Sequence, residues 1–393
     1  MKRFHFVAAC LLAIPFFTNA QQYTKIHEKA IVVDTHNDFI SKSIDNSLSF
    51  DQDLRGKAHS DLVRMKLGGV DVQIFSIFCD DRFGKDTAFK FANREIDSLY
   101  AIAKRNPDKM MIVRNPRELA LAVKKKKLAA MMGVEGGHMI EDDMGKLDSL
   151  FNRGVRYMTL TWNNSTSWAT SAKEETQGNY HNPKKGLSDF GRQIVRRMNE
   201  LGMMVDLSHV GEQTFWDAIN TTTKPILTSH SSVQRLCPVF RNLNDDQIRA
   251  IGKNNGVIQV NFYSGFIDSN YQKRISAFLA SHKTEYDSLV ALKKEDYEIL
   301  GFFSKKYPQQ SESMRPPLSM LIDHIDYIAK MIGVDHVGLG SDFDGIESAP
   351  QGLNGVEDFP LVTKALLERG YSVKDIDKIL GGNFIRVFKA NMP

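Results

Sequence analysis

The chain has 393 residues, of which 42% are hydrophobic and 25% charged, with 51 Lys and Arg against 47 Asp and Glu. This composition is typical of a soluble globular protein with a large core, and it excludes a disordered, fibrous or disulfide-dependent protein. A formal net charge of +4 over this length is too small to predict nucleic-acid binding.

The first twenty residues predict a secretory signal peptide. Two basic residues precede an apolar run over 7–17, and small residues at positions 18 and 20 permit cleavage after Ala20. We therefore expect an exported protein, periplasmic or secreted, whose mature chain (21–393) forms one domain. A lipoprotein modified at Cys10 is less favoured, because almost no apolar segment precedes that cysteine. No later stretch is long and apolar enough to span a bilayer.

Removal of the leader leaves two cysteines, Cys79 and Cys237. Export permits a disulfide between them, but their separation in sequence does not define a geometry. Two buried thiols are an equally good interpretation.

Short, nearly continuous apolar runs recur along the mature chain and predict strands buried on both faces. They cover residues 31–33, 70–78, 128–134, 155–160, 203–207, 225–227, 256–262 and 336–339. Amphipathic stretches separate most of them, at 89–104, 116–126, 188–201, 212–219, 245–251 and 318–331. Eight strands alternating with helices predict a (β/α)8 barrel of the TIM type. An open doubly wound sheet is the alternative, disfavoured because no Gly-rich phosphate motif follows the first strand.

The segment over 271–317 differs from its surroundings. It is rich in Lys, Glu, Ser and Tyr, it is closed by two prolines, and it lies between the seventh and eighth predicted strands. We expect a helical insertion on the barrel there, either a lid, a contact surface or simply a solvated helical pair.

Side chains able to bind a metal stand where four predicted strands end. His36 and Asp38 follow the first strand, Glu135 the third, and His209 and His230 the fifth and sixth. The carboxyl ends of all strands in a barrel meet at one mouth. Imidazole and carboxylate groups are usual zinc ligands, and the two oxygens of a carboxylate can bridge two cations. These residues therefore predict a metal site at that mouth.

Three further polar residues belong to the same predicted mouth. Asp342 follows the last strand and is placed to be a metal ligand, a general base or both. Arg241, between the sixth and seventh strands, is suited to bind a substrate carboxylate through two hydrogen bonds. His138 is better interpreted as a structural neighbour than as a ligand.

The segments that carry these residues resemble the membrane dipeptidase (renal dipeptidase) family of zinc dipeptidases. They occur in order from about residue 30 to 390: VVDTHND, GVEGGH, RYMTLTWN, VDLSH, LTSHSS, RNLNDDQIR, VIQVNFY, VGLGSDFDGI and GGNFIRVF. The resemblance implies a (β/α)8 barrel with two Zn²⁺ ions per chain. His36 and Asp38 would bind one ion, His209 and His230 the other, and Glu135 would bridge them. It also implies a homodimer.

The resemblance further implies a zinc-dependent dipeptidase, in which a metal-activated hydroxide at a binuclear site cleaves the peptide bond of dipeptides. Asp342 would be the acid and base, and Arg241 would bind the terminal carboxylate. Two alternatives use the same residues. One is another barrel metallohydrolase, acting on a lactam, an N-acyl amino acid or a phosphoester. The other is a metal-bearing binding protein without turnover.

One position departs from the family pattern. Well-known members carry a histidine after the strand that corresponds to RYMTLT, where it binds and polarises the substrate carbonyl. Here that position is Trp162, which offers only one N–H donor. We expect Trp162 to contact substrate in another way, and Asn163 or His181 are the candidates to replace the histidine.

Overall fold

The computed structural model describes residues 19–294 and 296–392. The predicted leader lies outside these residues up to position 18, and so does Cys10. Within the described part of the chain, every helix is too short or too polar to traverse a lipid bilayer.

A parallel sheet wraps into a nearly closed barrel of eight strands. The described residues form nine strands, and all except β3 belong to this ring: Val32–Asn37 (β1), Val70–Ile77 (β2), Met110–Ile112 (β3), Leu128–Glu135 (β4), Val155–Thr159 (β5), Met204–Asp206 (β6), Leu227–Thr228 (β7), Val257–Asn261 (β8) and Val337–Gly340 (β9). Their order is β1-β2-β4-β5-β6-β7-β8-β9. The ring closes where Asp342 N donates to His36 O at 3.1 Å and Asp38 N donates to Phe343 O at 2.9 Å. The predicted (β/α)8 barrel is confirmed.

Helices surround the barrel and connect its strands. The α-helices of the described residues are Asn19–Lys29 (α1), Phe39–Asn46 (α2), Leu62–Leu67 (α3), Ala88–Arg105 (α4), Pro116–Lys124 (α5), Met144–Asn152 (α6), Ala172–Gln177 (α7), Asp189–Leu201 (α8), Glu212–Thr221 (α9), Asp245–Lys253 (α10), Ser264–Ile267 (α11), Tyr271–Ser281 (α12), Lys283–Ala291 (α13), Asp296–Lys306 (α14), Pro308–Met314 (α15), Leu318–Ile332 (α16), Phe359–Glu368 (α17), Val373–Asp377 (α18) and Asn383–Asn391 (α19). A π-helical turn, Lys378–Gly382, joins α18 to α19.

Local sequence explains where several helices begin and end. Asn244 caps α10 through a reciprocal pair with Gln247, in which each side chain accepts from the backbone N–H of the other. Ser188 caps α8, and Gly202 ends it in the left-handed conformation at φ 81°. These caps position the helices that follow β5 and β7.

The core leaves the mouth of the barrel to polar groups. The main cluster packs the outer faces of the strands against the helices. A second cluster joins strand residues such as Val72, Met131 and Val257 to Phe384 and Phe388 of α19. Its strand residues precede the carboxyl ends of their strands, so the polar side chains gather at those ends.

Helices α12 to α15 occupy residues 271–314 between β8 and β9. They pack around a small cluster of their own that includes Tyr271, Phe278, Ile299 and Phe303. That this segment is an insertion on the barrel stays a prediction.

The short strand β3 was missed by the periodicity, because it has three residues and pairs only with β4, outside the ring.

Cys79 and Cys237 are buried thiols and do not form a disulfide. The Sγ of Cys237 donates to Gly265 O at 3.4 Å.

Candidate metal centre and active site

The predicted metal-binding residues all lie at the carboxyl ends of barrel strands. His36 is the penultimate residue of β1, Asp38 directly follows that strand, and Glu135 is the last residue of β4. His209 and His230 follow β6 and β7 within three residues. The five side chains are buried, with residue exposures of 8% or less.

Three of these side chains meet on the β1 side of the mouth. His36 Nε2 lies 3.3 Å from Glu135 Oε2 and 3.5 Å from Asp38 Oδ2. His36 Nε2 and Asp38 Oδ1 are buried, and neither has a hydrogen-bond partner among the described residues. Buried polar atoms are rarely left without a partner, so these atoms point to a bound group.

The two other histidines meet the second oxygen of the same glutamate. His209 Nε2 lies 2.9 Å from Glu135 Oε1, and His230 Nε2 lies 3.6 Å from it. The two ring nitrogens are themselves 2.9 Å apart. Glu135 therefore has one oxygen toward His36 and Asp38 and the other toward the histidine pair.

The side chains form overlapping groups with the spacing that a metal ion needs. Glu135 groups with His36 and Asp38, and also with His209 and His230, with ligand atoms within 4.8 Å of one another. A third group joins His36 and His230 to Asp342. Imidazole and carboxylate donors at this spacing fit a divalent first-row metal such as zinc.

Two site residues hold left-handed backbone conformations that glycine usually adopts. His209 has φ 64° and Asp342 has φ 62°. Such conformations cost roughly 1–3 kcal/mol for a residue with a Cβ, and they cluster at functional sites. Here they turn the two side chains into the mouth after the short strands β6 and β9.

A tyrosine on β5 fixes the ring of His36 from below. Tyr157 is fully buried, and its hydroxyl lies 2.9 Å from His36 Nδ1 and 3.0 Å from Thr35 O. A carbonyl only accepts, so the hydroxyl donates to Thr35 O and accepts from His36 Nδ1–H. The lone pair of His36 is then at Nε2, which faces the carboxylates.

His230 is held by a similar network from β6. Its Nδ1 lies 2.8 Å from Ser229 Oγ, which donates to Asp206 Oδ2 at 2.6 Å. Asp206 also accepts from Ser229 N at 2.8 Å and from Ser208 N at 3.1 Å. Because the serine proton is committed to Asp206, Ser229 Oγ accepts from His230 Nδ1–H. Nε2 of this ring therefore also faces the site with a lone pair.

Asp342 is oriented by the end of β8. Asn261 Nδ2 donates to Asp342 Oδ2 at 2.8 Å, and Asp342 Oδ1 lies 4.0 Å from His36 Nε2. A Cβ on Gly345 would lie 2.2 Å from Asp38 Oδ2, so only glycine lets this loop approach the carboxylates.

Arg241 lies in the loop after β7 and faces the same cleft. It is buried, its Nη2 donates to His230 O at 3.3 Å, and its guanidinium carbon stands 5.4 Å from the centre of the Phe266 ring. No carboxylate of the described residues lies within 4 Å of it, and its Nε is buried without a hydrogen-bond partner. Burial lowers its pKa to about 10, so it stays charged at neutral pH. A buried arginine without an acidic partner is suited to bind an anion.

The remaining predicted residues separate into two groups. Trp162 and Asn163 are half-buried and line a cleft of about 1580 Å³ that also contains Glu135 and Arg241. Asn163 Oδ1 lies 3.2 Å from His209 Nδ1. His181 is exposed and is not among the residues that line this cleft.

With this geometry established, comparison with known proteins identifies the family. The family model described as membrane dipeptidase, peptidase family M19, matches residues 20–392. The chain belongs to the membrane dipeptidase family. It is also 33% identical over 386 residues to an uncharacterized dipeptidase of Schizosaccharomyces pombe, an alignment that covers 94% of this chain and 82% of that protein.

Solved structures share the fold of this membrane dipeptidase family member. The probable dipeptidase PvdM of Pseudomonas aeruginosa superposes with a TM-score of 0.74 at 23% identity, over 95% of this chain and 98% of that one. A metallopeptidase of Rhodobacter sphaeroides, bound to a phosphinate mimic of L-Ala-D-Ala, gives a TM-score of 0.74 at 22% identity. That match covers 92% of this chain and 100% of the other. At these identities the likeness concerns the fold.

Burial dominates the electrostatics of the site in this family member. It lowers the pKa of His209 to about 4 and that of His230 well below its usual value. Burial raises the pKa of Asp342, with neighbouring carboxylates adding to the effect. Burial would also raise the pKa of Glu135, but the neighbouring imidazoles, that of His36 foremost, lower it. A bound cation would favour neutral histidines and ionised carboxylates.

Sequence reasoning missed the residues that support this site. Three of them contact site residues directly, namely Tyr157, Ser229 and Asn261, and Asp206 acts through Ser229. Asp206 stands in the VDLSH segment, so its place three residues before a predicted ligand was an available signal. The contact of Tyr157 had no such signal, because 121 positions separate it from His36.

Proposed function

We propose that this chain is a zinc-dependent dipeptidase that cleaves the peptide bond of dipeptides at a binuclear site. The observation that carries the proposal is Arg241, a buried arginine beside the metal-binding side chains that forms no ion pair with a carboxylate of the described residues. A substrate with a free carboxylate near its scissile bond would use both the arginine and the metal-binding side chains. Dipeptides have this chemistry, and the family to which the chain belongs agrees with it.

We assign two zinc ions to the donor groups of the mouth. His36 and Asp38 would hold one ion, His209 and His230 the other, and Glu135 would bridge them, since its two oxygens face the two groups. Zinc bound there would polarise the scissile carbonyl and lower the pKa of a water toward about 7.

Arg241 would fix the carboxyl end of the substrate. Its guanidinium contacts the backbone of His230, so a carboxylate bound there belongs to the residue next to the scissile bond. Longer peptides would place that carboxylate too far from the donors. Holding the substrate in this way supplies orientation that a free encounter lacks.

Asp342 would transfer the proton. Asn261 holds Oδ2, which leaves Oδ1 toward His36 and the reacting centre. In the proposed reaction Oδ1 takes a proton from the attacking water and delivers it to the leaving amine.

A substrate panel tests the proposed function. Purified protein is assayed on L-L and L-D dipeptides, N-acetyl amino acids, a β-lactam and a phosphomonoester, before and after chelation and after zinc is added back. We expect dipeptide hydrolysis that chelation abolishes and zinc restores. Hydrolysis of only the other compounds would support a different metallohydrolase, and bound zinc without any turnover would support a binding protein.

Export and dimerisation are also part of the proposal. We propose cleavage near Ala20, delivery to the periplasm or the exterior, and a homodimer. Intact-mass analysis of protein from the cell envelope and medium should show the loss of twenty residues. Light scattering after size exclusion should give twice the chain mass, and a mass of one chain would refute the dimer.

A further inference from the structure

Two aromatic rings form one wall of the cleft. Phe78 follows β2 directly, and Trp162 follows β5. Their ring centres are 4.9 Å apart with an interplanar angle of 57°. Both residues are half-buried and line the same cleft as Asp342. This aromatic pair is uncharged and offers apolar faces to whatever enters the mouth.

The aromatic pair lies across the mouth from Arg241. In the ring of strands, β4 with Glu135 at its end stands between β2 and β5, which carry the two rings. Arg241 comes from the loop between β7 and β8 and stacks on Phe266 beyond β8. In a ring of eight strands, β4 and β8 are on opposite sides.

A substrate that spans the mouth then has a defined direction. Its carboxylate lies at Arg241 and its scissile carbonyl at the donor side chains, so its amino-terminal residue extends toward the far side. Resting on the proposed function, we propose that Phe78 and Trp162 bind the side chain of the amino-terminal residue. The enzyme would then prefer dipeptides with a large apolar or aromatic residue at that position.

The expected size of the preference follows from the geometry. The aromatic pair supplies a single wall of the subsite, so the preference for Phe over Ala should be about tenfold in kcat/KM, at the lower end of what apolar contacts give. The residue at the carboxyl end faces Arg241 and should show no such dependence on the aromatic pair.

The test compares kcat/KM for Phe-Ala, Ala-Phe and Ala-Ala. In Trp162→Ala and in Phe78→Ala, the ratio of Phe-Ala to Ala-Ala should fall about tenfold, while the ratio of Ala-Phe to Ala-Ala stays constant. A ratio is used because it does not depend on the fraction of folded protein. Trp162→Phe should retain most of the preference. Phe302→Ala is the matched control, since Phe302 is an exposed aromatic of α14 that lines the same cleft.

The outcomes separate this inference from the proposed function. Dipeptide hydrolysis with no preference for Phe-Ala, or with a preference that survives both alanine variants, overturns the inference alone. A change in the Ala-Phe ratio instead assigns the pair to the other substrate residue and also overturns it. If wild-type protein hydrolyses none of the three, the proposed function fails and the inference falls with it.

Discussion

Replacing Tyr157 by phenylalanine tests whether a residue that hydrogen-bonds a metal-binding histidine contributes to the affinity for the metal. The change removes one hydroxyl and keeps a ring that fits closely over β4, where a Cβ on Gly133 would lie 2.0 Å from it. The lost hydroxyl accepts a hydrogen bond from His36 Nδ1–H at 2.9 Å and donates one to Thr35 O at 3.0 Å. His36 would then lose the contact that keeps its lone pair at Nε2.

Two effects of Tyr157→Phe have separate magnitudes. Removing a contact of this kind from a metal-binding histidine typically lowers metal affinity about 10- to 100-fold, which corresponds to about 1.4–2.8 kcal/mol. Two buried groups also lose their hydrogen bond, which costs the apo protein about 2 kcal/mol of unfolding free energy or more.

The quantity to measure is the zinc affinity of the apo protein, determined by competition with a chromophoric chelator. If two ions bind, the loss should be confined to one of them, because in the proposed assignment His36 holds only one ion. Tyr100→Phe is the matched control, since its hydroxyl donates to Arg153 O at 2.9 Å away from the mouth. It should lower stability by about 1 kcal/mol and leave affinity unchanged. Wild-type zinc affinity in Tyr157→Phe would refute the reasoning.

Three further changes probe other parts of the molecule. Asp342→Asn should lower kcat about 10²- to 10⁴-fold at unchanged zinc content, because asparagine tolerates the left-handed backbone but cannot take the proton. Steady-state kinetics combined with metal analysis measures both quantities, and a near-normal kcat would contradict the prediction. Arg241→Met should raise KM for dipeptides and remove discrimination against dipeptide amides, whereas retained discrimination would assign the carboxylate elsewhere. Burial raises the pKa of Asp71 from 3.8 to about 6, so its charge costs stability above pH 6 and the cost fades as pH falls toward 3.8. Asp71→Asn should therefore stabilise the fold by up to about 2 kcal/mol at pH 8 and by little at pH 4, and a gain independent of pH in thermal melts would exclude this cause.

The barrel and its donors were predictable because both depend on local pattern. Buried parallel strands are short apolar runs, and each donor follows such a run directly. The helix expected over 89–104 is observed as Ala88–Arg105, since its apolar spacing is long and regular. The strand Met110–Ile112 was missed because three residues carry no period.

The supporting contacts were not predictable, because they depend on register between distant strands. Gly133 on β4 pairs with Tyr157 on β5, and the absence of a side chain at Gly133 leaves room for the tyrosine ring. Neither fact follows from the local sequence of either strand. The same holds for Phe78 and Trp162, which meet only because β2 and β5 flank β4 in the ring.

Two buried aspartates tie neighbouring strands of the barrel together in the same way. Asp34 accepts from Ser341 N at 2.7 Å and from Ser341 Oγ at 2.6 Å, which ties β1 to the end of β9. Asp206 makes the same pair of contacts with Ser229, at 2.8 and 2.6 Å, and ties β6 to β7. Each serine directly precedes a site residue, so each aspartate fixes the backbone from which a site side chain projects. This explains how Asp342 keeps its left-handed conformation: the strain persists because a buried carboxylate on the neighbouring strand holds the preceding residue in place.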